Sequence, residues 1–359
     1  MFKRTALCIA LSALFVTANT QARTVYDNDQ GDTLSVYGEV GVGGHIGADY
    51  EYGEFYTDDE TYIDDSFATL GVKGNYQSTY YRLELDYERE NWAYGSGDMA
   101  LAIDKIFIGY KITPNHAIEF GLTDTALDDY DKFGDFTLDT TVETGEAGDQ
   151  ENTLKYEGRF SDFKAGISYS YNGESSSGSA LGDVINGYIG YFSEYVDVVV
   201  GAETRTGSEG ESKYGEQTLY TLGLRAYLRD DLAIGLNGYI ENEDIAQTST
   251  TIDISSDDEY TYSYNDYQTL ENKGALISAR YQATPKIQLT GSLNYEEYEA
   301  WDISSPYGVS PDDEYSWGKE RTWSTLGVNF NPTNSVLFAL ELNFGEAAQD
   351  AYAYSRVYF

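Results

Sequence analysis

The chain has 359 residues, with 61 acidic side chains against 22 basic ones and a formal net charge of −39. Charge of that sign repels phosphate backbones and argues against nucleic acid as a partner. The single cysteine, Cys8, lies so close to the start that the body of the chain has no disulfide and no thiol chemistry.

In chain order, Lys3 and Arg4 precede an apolar stretch from Ala6 to Val16, and Thr20-Gln21-Ala22 supplies small residues for a cleavage site. This pattern predicts a secretory signal over 1–22, too short and wrongly flanked for a transmembrane helix. The remainder, 23–359, is read as one domain. No later apolar run is long enough to cross a bilayer as a helix. The chain is rich in Tyr (35) and Gly (36) and poor in Pro (5), a balance that suits β-structure with an aromatic interface on either side of a membrane.

Period-two alternation recurs from Leu34 onward. In 286–296, Ile287, Leu289, Gly291, Leu293 and Tyr295 share one face, and Gln288, Thr290, Ser292, Asn294 and Glu296 share the other. The same pattern fills 163–171 and 231–241. One face then suits lipid and the other water. Sixteen strands follow: 33–50, 66–75, 79–92, 102–112, 116–122, 152–160, 163–172, 184–192, 195–205, 217–228, 231–241, 271–283, 286–299, 321–331, 335–344 and 351–359. Seven short turns alternate with eight long polar connections, the third covering 123–150. An even strand number with short turns on one side and long loops on the other predicts an all-β, antiparallel, up-and-down transmembrane barrel. At this size the barrel encloses an aqueous channel. A β-sandwich pair or a propeller also has many alternating strands, but lacks that alternation of short and long connections.

Val25-Tyr26-Asp27-Asn28-Asp29 followed by Leu34-Ser35-Val36-Tyr37-Gly38-Glu39-Val40 resembles the opening of the general porins of Gram-negative bacteria. Phe67-Ala68-Thr69-Leu70-Gly71-Val72-Lys73-Gly74 is similar to their second strand, and Ile106-Phe107-Ile108-Gly109-Tyr110 to their fourth. Asp131-Lys132-Phe133-Gly134-Asp135 stands where their constriction loop has an acidic Phe-Gly turn. The resemblance implies a homotrimer in the outer membrane that passes small hydrophilic solutes by diffusion. It also implies a third external loop folded inward, and a terminal Phe359 read as a signal by the barrel assembly machinery.

Segment 123–150 carries Asp124, Asp128, Asp129, Asp131, Asp135 and Asp139. If it folds into the lumen, these carboxylates face the strand wall and set ion selectivity. Strand parity turns Lys73, Arg82, Lys105 and Lys155 inward as a basic wall, with Glu39 and Glu84 as inward acids. The family pattern is departed from at Glu39 and Thr69, at about Asp149, and at Lys132, where bases and an acid are expected. The lost bases predict a pore that prefers cations.

Other chemistry is sparse. His45 and His116 are the only histidines and no nucleophile motif accompanies them, so no enzyme and no cofactor are expected. The clusters Asp58-Asp59-Glu60, Asp64-Asp65, Asp257-Asp258-Glu259 and Asp312-Asp313-Glu314 lack the spacing of a calcium loop. They suit cation bridges to lipopolysaccharide phosphates, or simple solvation. The expected function is a diffusion channel for ions and small hydrophilic solutes. A substrate-specific channel, or a plugged structural or adhesin barrel, is the alternative.

Overall fold

The computed structural model describes residues 22–47, 62–91, 96–138, 142, 144–175, 180–207, 212–247, 266–302, 315–345 and 350–359. The expected signal, except its last residue, lies outside these, as do Asp139 and the acidic clusters at 58–60, 257–259 and 312–314.

The chain opens with a hairpin of β1 (Arg23–Asp27) and β2 (Thr33–Ile46), and a three-residue strand β3 (Tyr62–Asp64) follows. Next come β4 (Phe67–Tyr76), β5 (Thr79–Asn91), β6 (Ser96–Thr113), β7 (His116–Asp124), β8 (Asp149–Phe160) and β9 (Phe163–Glu174). The second half holds β10 (Ala180–Phe192), β11 (Val196–Arg205), β12 (Ser212–Arg229), β13 (Leu232–Gln247), β14 (Asp266–Thr284), β15 (Ile287–Asp302), β16 (Tyr315–Thr333), β17 (Val336–Gly345) and β18 (Asp350–Tyr358). Sixteen of these, β2 and β4 to β18, each pair antiparallel with two neighbours and form a closed barrel. All sixteen coincide with strands predicted from alternation.

Closure is made by β18 on β2, with Ala351 opposite Ile46 and Tyr358 opposite Glu39. Phe359 completes the seam: its N–H donates to Gly38 O at 2.9 Å, and Gly38 N–H donates back at 3.0 Å. A barrel has no free edge, so each spanning backbone group finds a partner without water. Beyond the end of β18, β1 takes over the same edge of β2, pairing Arg23 with Val36 and Asp27 with Thr33. Asn28 Oδ1 accepts the N–H groups of Gln30 and Asp32 to turn this hairpin, and Asp32 Oδ1 accepts Gln77 N–H at 2.8 Å from the first short turn.

Several strands extend past their predicted ends at the long-loop side. Segments 96–101, 212–216, 242–247, 266–270, 300–302 and 315–320 were read as loop and are ladder-paired strand. In these segments the polarity of the sequence does not alternate, while the backbone ladder continues. The small strands β1 and β3 were missed for the same reason.

The two faces of the wall separate cleanly. Leu70, Ile108, Phe120, Ile167, Leu222, Leu293 and Leu326 stand exposed on the outside. Glu84, Lys105, Ser168, Asn186, Glu203, Asn237, Ser278, Glu296 and Glu341, at the opposite parity, are buried within. An exposed apolar band on a closed antiparallel barrel is the surface a bilayer solvates. Leu293 lies near the middle of the band. Leu293→Arg is expected to lower unfolding free energy in lipid by about 2–4 kcal/mol, measured by urea titration of the bilayer-folded protein.

Candidate functional site

The described part of the connection between β7 and β8, residues 125–138, 142 and 144–148, bonds to polar side chains of the wall's inward parity. Ala126 N–H donates to Ser168 Oγ of β9 at 3.0 Å, and Leu127 N–H to Asn186 Oδ1 of β10 at 3.2 Å. A single 3-10 turn at Asp128–Tyr130 follows, and the Tyr130 ring lies 4.0 Å from that of Tyr188 on β10. Asn237 Nδ2 of β13 donates to the carbonyls of Asp131 and Phe133 at 2.8 and 3.2 Å. Ser278 Oγ of β14 donates to Gly134 O at 2.6 Å. Farther on, Leu138 N–H reaches Glu341 Oε1 of β17 at 2.8 Å.

The segment then returns along the same wall. Gly145 N–H donates to Glu241 Oε2 at 3.2 Å and Ala147 N–H to Glu203 Oε2 at 3.1 Å, while Gly145 O accepts from Arg205 and Gln217. Each such bond contributes about 1 kcal/mol net. An apolar patch reinforces them. Leu127 and Val142, 0% and 2% exposed, pack in one cluster with Val199, Leu219, Leu276 and Trp323 of the wall. Apolar side chains on the lumen face serve the segment, not the lipid.

Close approach depends on glycine. Gly134 has φ +109°, a conformation L side chains rarely adopt, and its carbonyl sits where a Cβ of Gly235 would be. A Cβ on Gly223 would likewise meet Phe133 O. The tip of the segment therefore rests on bare backbone of β12 and β13. The rings flanking the tip are covered by cations: Arg225 lies 4.0 Å above the Phe133 ring, and Arg280 lies 4.7 Å from the centre of Phe136.

The expected acidic residues divide into several environments. Asp124 and Asp128 join Asp149 at the root of the segment, with carboxylate oxygens within 4.8 Å of one another. Lys105 Nζ sits among them, 2.5 Å from Asp124 and 2.7 Å from Asp149, with Asp104 at 3.4 Å. A bulge in β6, between the pairs Glu84–Lys105 and Leu85–Ile103, brings Asp104 to this side beside Lys105. Asp129 is exposed beside the root. Asp131 accepts the Lys132 N–H, and Asp135 turns the chain by accepting the N–H and hydroxyl of Thr137.

Burial, and then the nearby charges of Asp124, Asp131 and Asp129, push Asp128 up to about 7. Burial, and then Asp128 and Glu203, raise Glu146 well above the usual carboxylate range. The segment thus holds two carboxylates, Asp128 and Glu146, that keep their protons to higher pH than an ordinary one.

The expected basic wall is spread around the barrel. Arg82 pairs with Glu84 at 2.8 Å and also donates to Tyr37, which itself bonds Glu84. Lys155 pairs with Glu119 at 2.8 Å. Lys105 belongs to the acidic root. Lys73 has no ion pair among the described residues, its ammonium resting 4.7 Å over the Tyr37 ring. Glu39 lies 3.8 Å from Arg356.

Wall residues beyond β8 were missed. Arg205 with Glu203, Arg225, Arg280, and Arg321 with Glu296 all face inward. The parity that placed Lys155 would have found them, had it been followed past β8.

The histidines and the one described acidic pair have partners. His45 Nδ1 is 2.6 Å from Asp350 and His116 Nδ1 is 2.8 Å from the Tyr156 hydroxyl. Asp64 holds Arg89 and Ser66, and Asp65 accepts from Tyr352.

Gly235→Ala is expected to lift the tip off the wall. Hydrogen exchange should accelerate at the amides of 126–138 and stay unchanged in β15 to β17.

No family model matches this sequence, and no curated protein does. Solved structures resemble it at low identity. OmpT of Vibrio cholerae, an outer-membrane protein, superposes with TM-score 0.64 at 14% identity, over 94% of this chain and 100% of the other. OmpF of Salmonella typhi, in complex with daunomycin, gives TM-score 0.64 at 14% identity with the same coverage. The outer-membrane channel DcaP of Acinetobacter baumannii gives 0.57 at 11%, over 93% and 99%. The fold of this chain is therefore that of the outer-membrane porin barrels.

Proposed function

We propose that this protein is an outer-membrane porin through which ions and small hydrophilic solutes diffuse, and that it prefers cations. The observation that carries the reading is segment 125–148, fastened by side chains of β9 to β17 to the polar face of a closed barrel. A long connection held there narrows the lumen. Its carboxylates at Asp128, Asp129 and Glu146, with Asp124 at the end of β7, then border the passage, and side-chain charge at a narrow point sets ion selectivity.

Three of the four bases expected on the wall are engaged. Arg82, Lys105 and Lys155 each lie within 2.8 Å of a carboxylate. The proposal extends to cleavage of 1–22 on export, contact of the long-loop side with lipopolysaccharide, and recognition of Phe359 during barrel assembly. A homotrimer is part of it, as OmpT of Vibrio cholerae is described in a trimer form. Catalysis is not part of it: His45 and His116 face Asp350 and Tyr156, with no serine or cysteine nucleophile at either ring among their described partners.

In planar bilayers under a potassium chloride gradient, the reversal potential should shift toward the potassium equilibrium potential. A shift toward chloride overturns cation preference, and absence of conductance overturns the channel. The pH dependence has a definite sign. A carboxylate whose pKa is raised to about 7 loses its charge as pH falls through that value. Cation preference should therefore decline between about pH 8 and pH 6, where an ordinary carboxylate near 4 stays ionised. Asp128→Asn should lower the preference at pH 8 and flatten the profile.

A further inference from the structure

At the short-turn end, the inner wall encloses a cavity of about 580 Å³ between the ends of β2 and β4 to β9. Its charged lining is unlike the rest of the molecule. Lys73, Arg82, Lys111, Arg159 and Lys164 line it against one acid, Glu157. The chain as a whole has nearly three acids for every base. Elsewhere on the inner wall Lys105, Lys155, Arg205 and Arg321 are all in ion pairs.

Among the described residues, Arg82 is the one cation of the cavity so paired, with Glu84. Lys73 rests on the Tyr37 ring and Lys164 lies 5.0 Å over the Phe192 ring. Lys111 Nζ donates to Asn75 Oδ1 at 2.9 Å, and Arg159 Nε donates weakly to Ser161 O at 3.4 Å. These four line one cavity in which Glu157 is the single acid among the lining residues.

Like charges gathered in a concavity raise the local concentration of counter-ions. Lys and Arg together suit phosphate, the first as a point charge and the second as a planar fork. The volume falls in the range of small-molecule sites. Tyr80, Phe107 and Tyr188 add ring faces to the lining.

We propose that this vestibule is a binding site for small, multiply charged anions of the class of phosphorylated solutes. It rests on the channel reading for its access route, but lies apart from the acidic root of segment 125–148. The two zones act in series: the carboxylates govern which sign of ion crosses, and the vestibule retains anions that come from the short-turn side.

The test is calorimetric titration of the detergent-folded barrel with inorganic pyrophosphate at low ionic strength. This readout does not require conduction, so it fails or succeeds apart from the channel proposal. Saturable binding is expected, weakening as salt screens the cations. The triple variant Lys73→Gln, Lys111→Gln, Lys164→Gln should bind about tenfold less tightly or worse, while Asp128→Asn should bind as the parent does. These lysines face water, so the variant should keep its heat-modifiable gel mobility. Absence of saturable binding, or equal binding by the triple variant, overturns the proposal. In bilayers, pyrophosphate on the short-turn side should interrupt the current reversibly in the parent only, and equal interruption by glucose would also overturn it.

Discussion

The constraint on which this structure depends is the satisfaction of backbone N–H and C=O groups where no water can reach them. An antiparallel sheet solves it along every strand, and leaves the first and last strands as the remaining problem. The pairing of Gly38–Ile46 with Ala351–Phe359 removes that problem. Once the cylinder is closed, side chains need only obey parity. Outside the apolar patch that meets the segment, leucine and isoleucine face out, and polar or small residues face in.

The inner face is then free to hold structure of its own. Segment 125–148 replaces water as the partner of Ser168, Asn186, Asn237, Ser278, Glu241 and Glu341. Three devices act together: carboxylates and amides that receive or donate backbone bonds, a small apolar patch around Leu127 and Val142, and glycines where backbone meets backbone. Loss of one weakens a contact without releasing the whole segment. Concentration of acids at the root, around Lys105, has a different consequence. Asp128 is buried there beside other carboxylates, and so holds its proton to higher pH.

Much of the barrel was legible in the sequence because alternation is a local signal. All sixteen spanning strands and all seven short turns follow from it. What it hid lay at the long-loop ends of strands, as in 212–216 and 266–270, since polarity there carries no period. The site was legible in part. Asp124, Asp128 and Lys105 could be named from parity and loop length. That Leu138 bonds Glu341, far along the chain, could not, since nothing near either residue encodes the other. Gly223 and Gly235 read as ordinary strand glycines, and their role emerges only when the segment is laid across them.

The seam joins residues more than three hundred positions apart, whereas every other spanning pair is joined by a single connection. Contacts of such separation carry the largest loop-closure entropy and form slowly. Zippering of neighbours can run ahead, leaving an open curved ribbon with β2 and β18 as its margins. β1 folds back on one of those margins by a five-residue turn, Asn28–Asp32, and occupies the part of it that β18 does not reach. The hairpin thus acts as a selvedge: it shortens the raw border that must wait for its distant partner, and marks the register at which that partner stops.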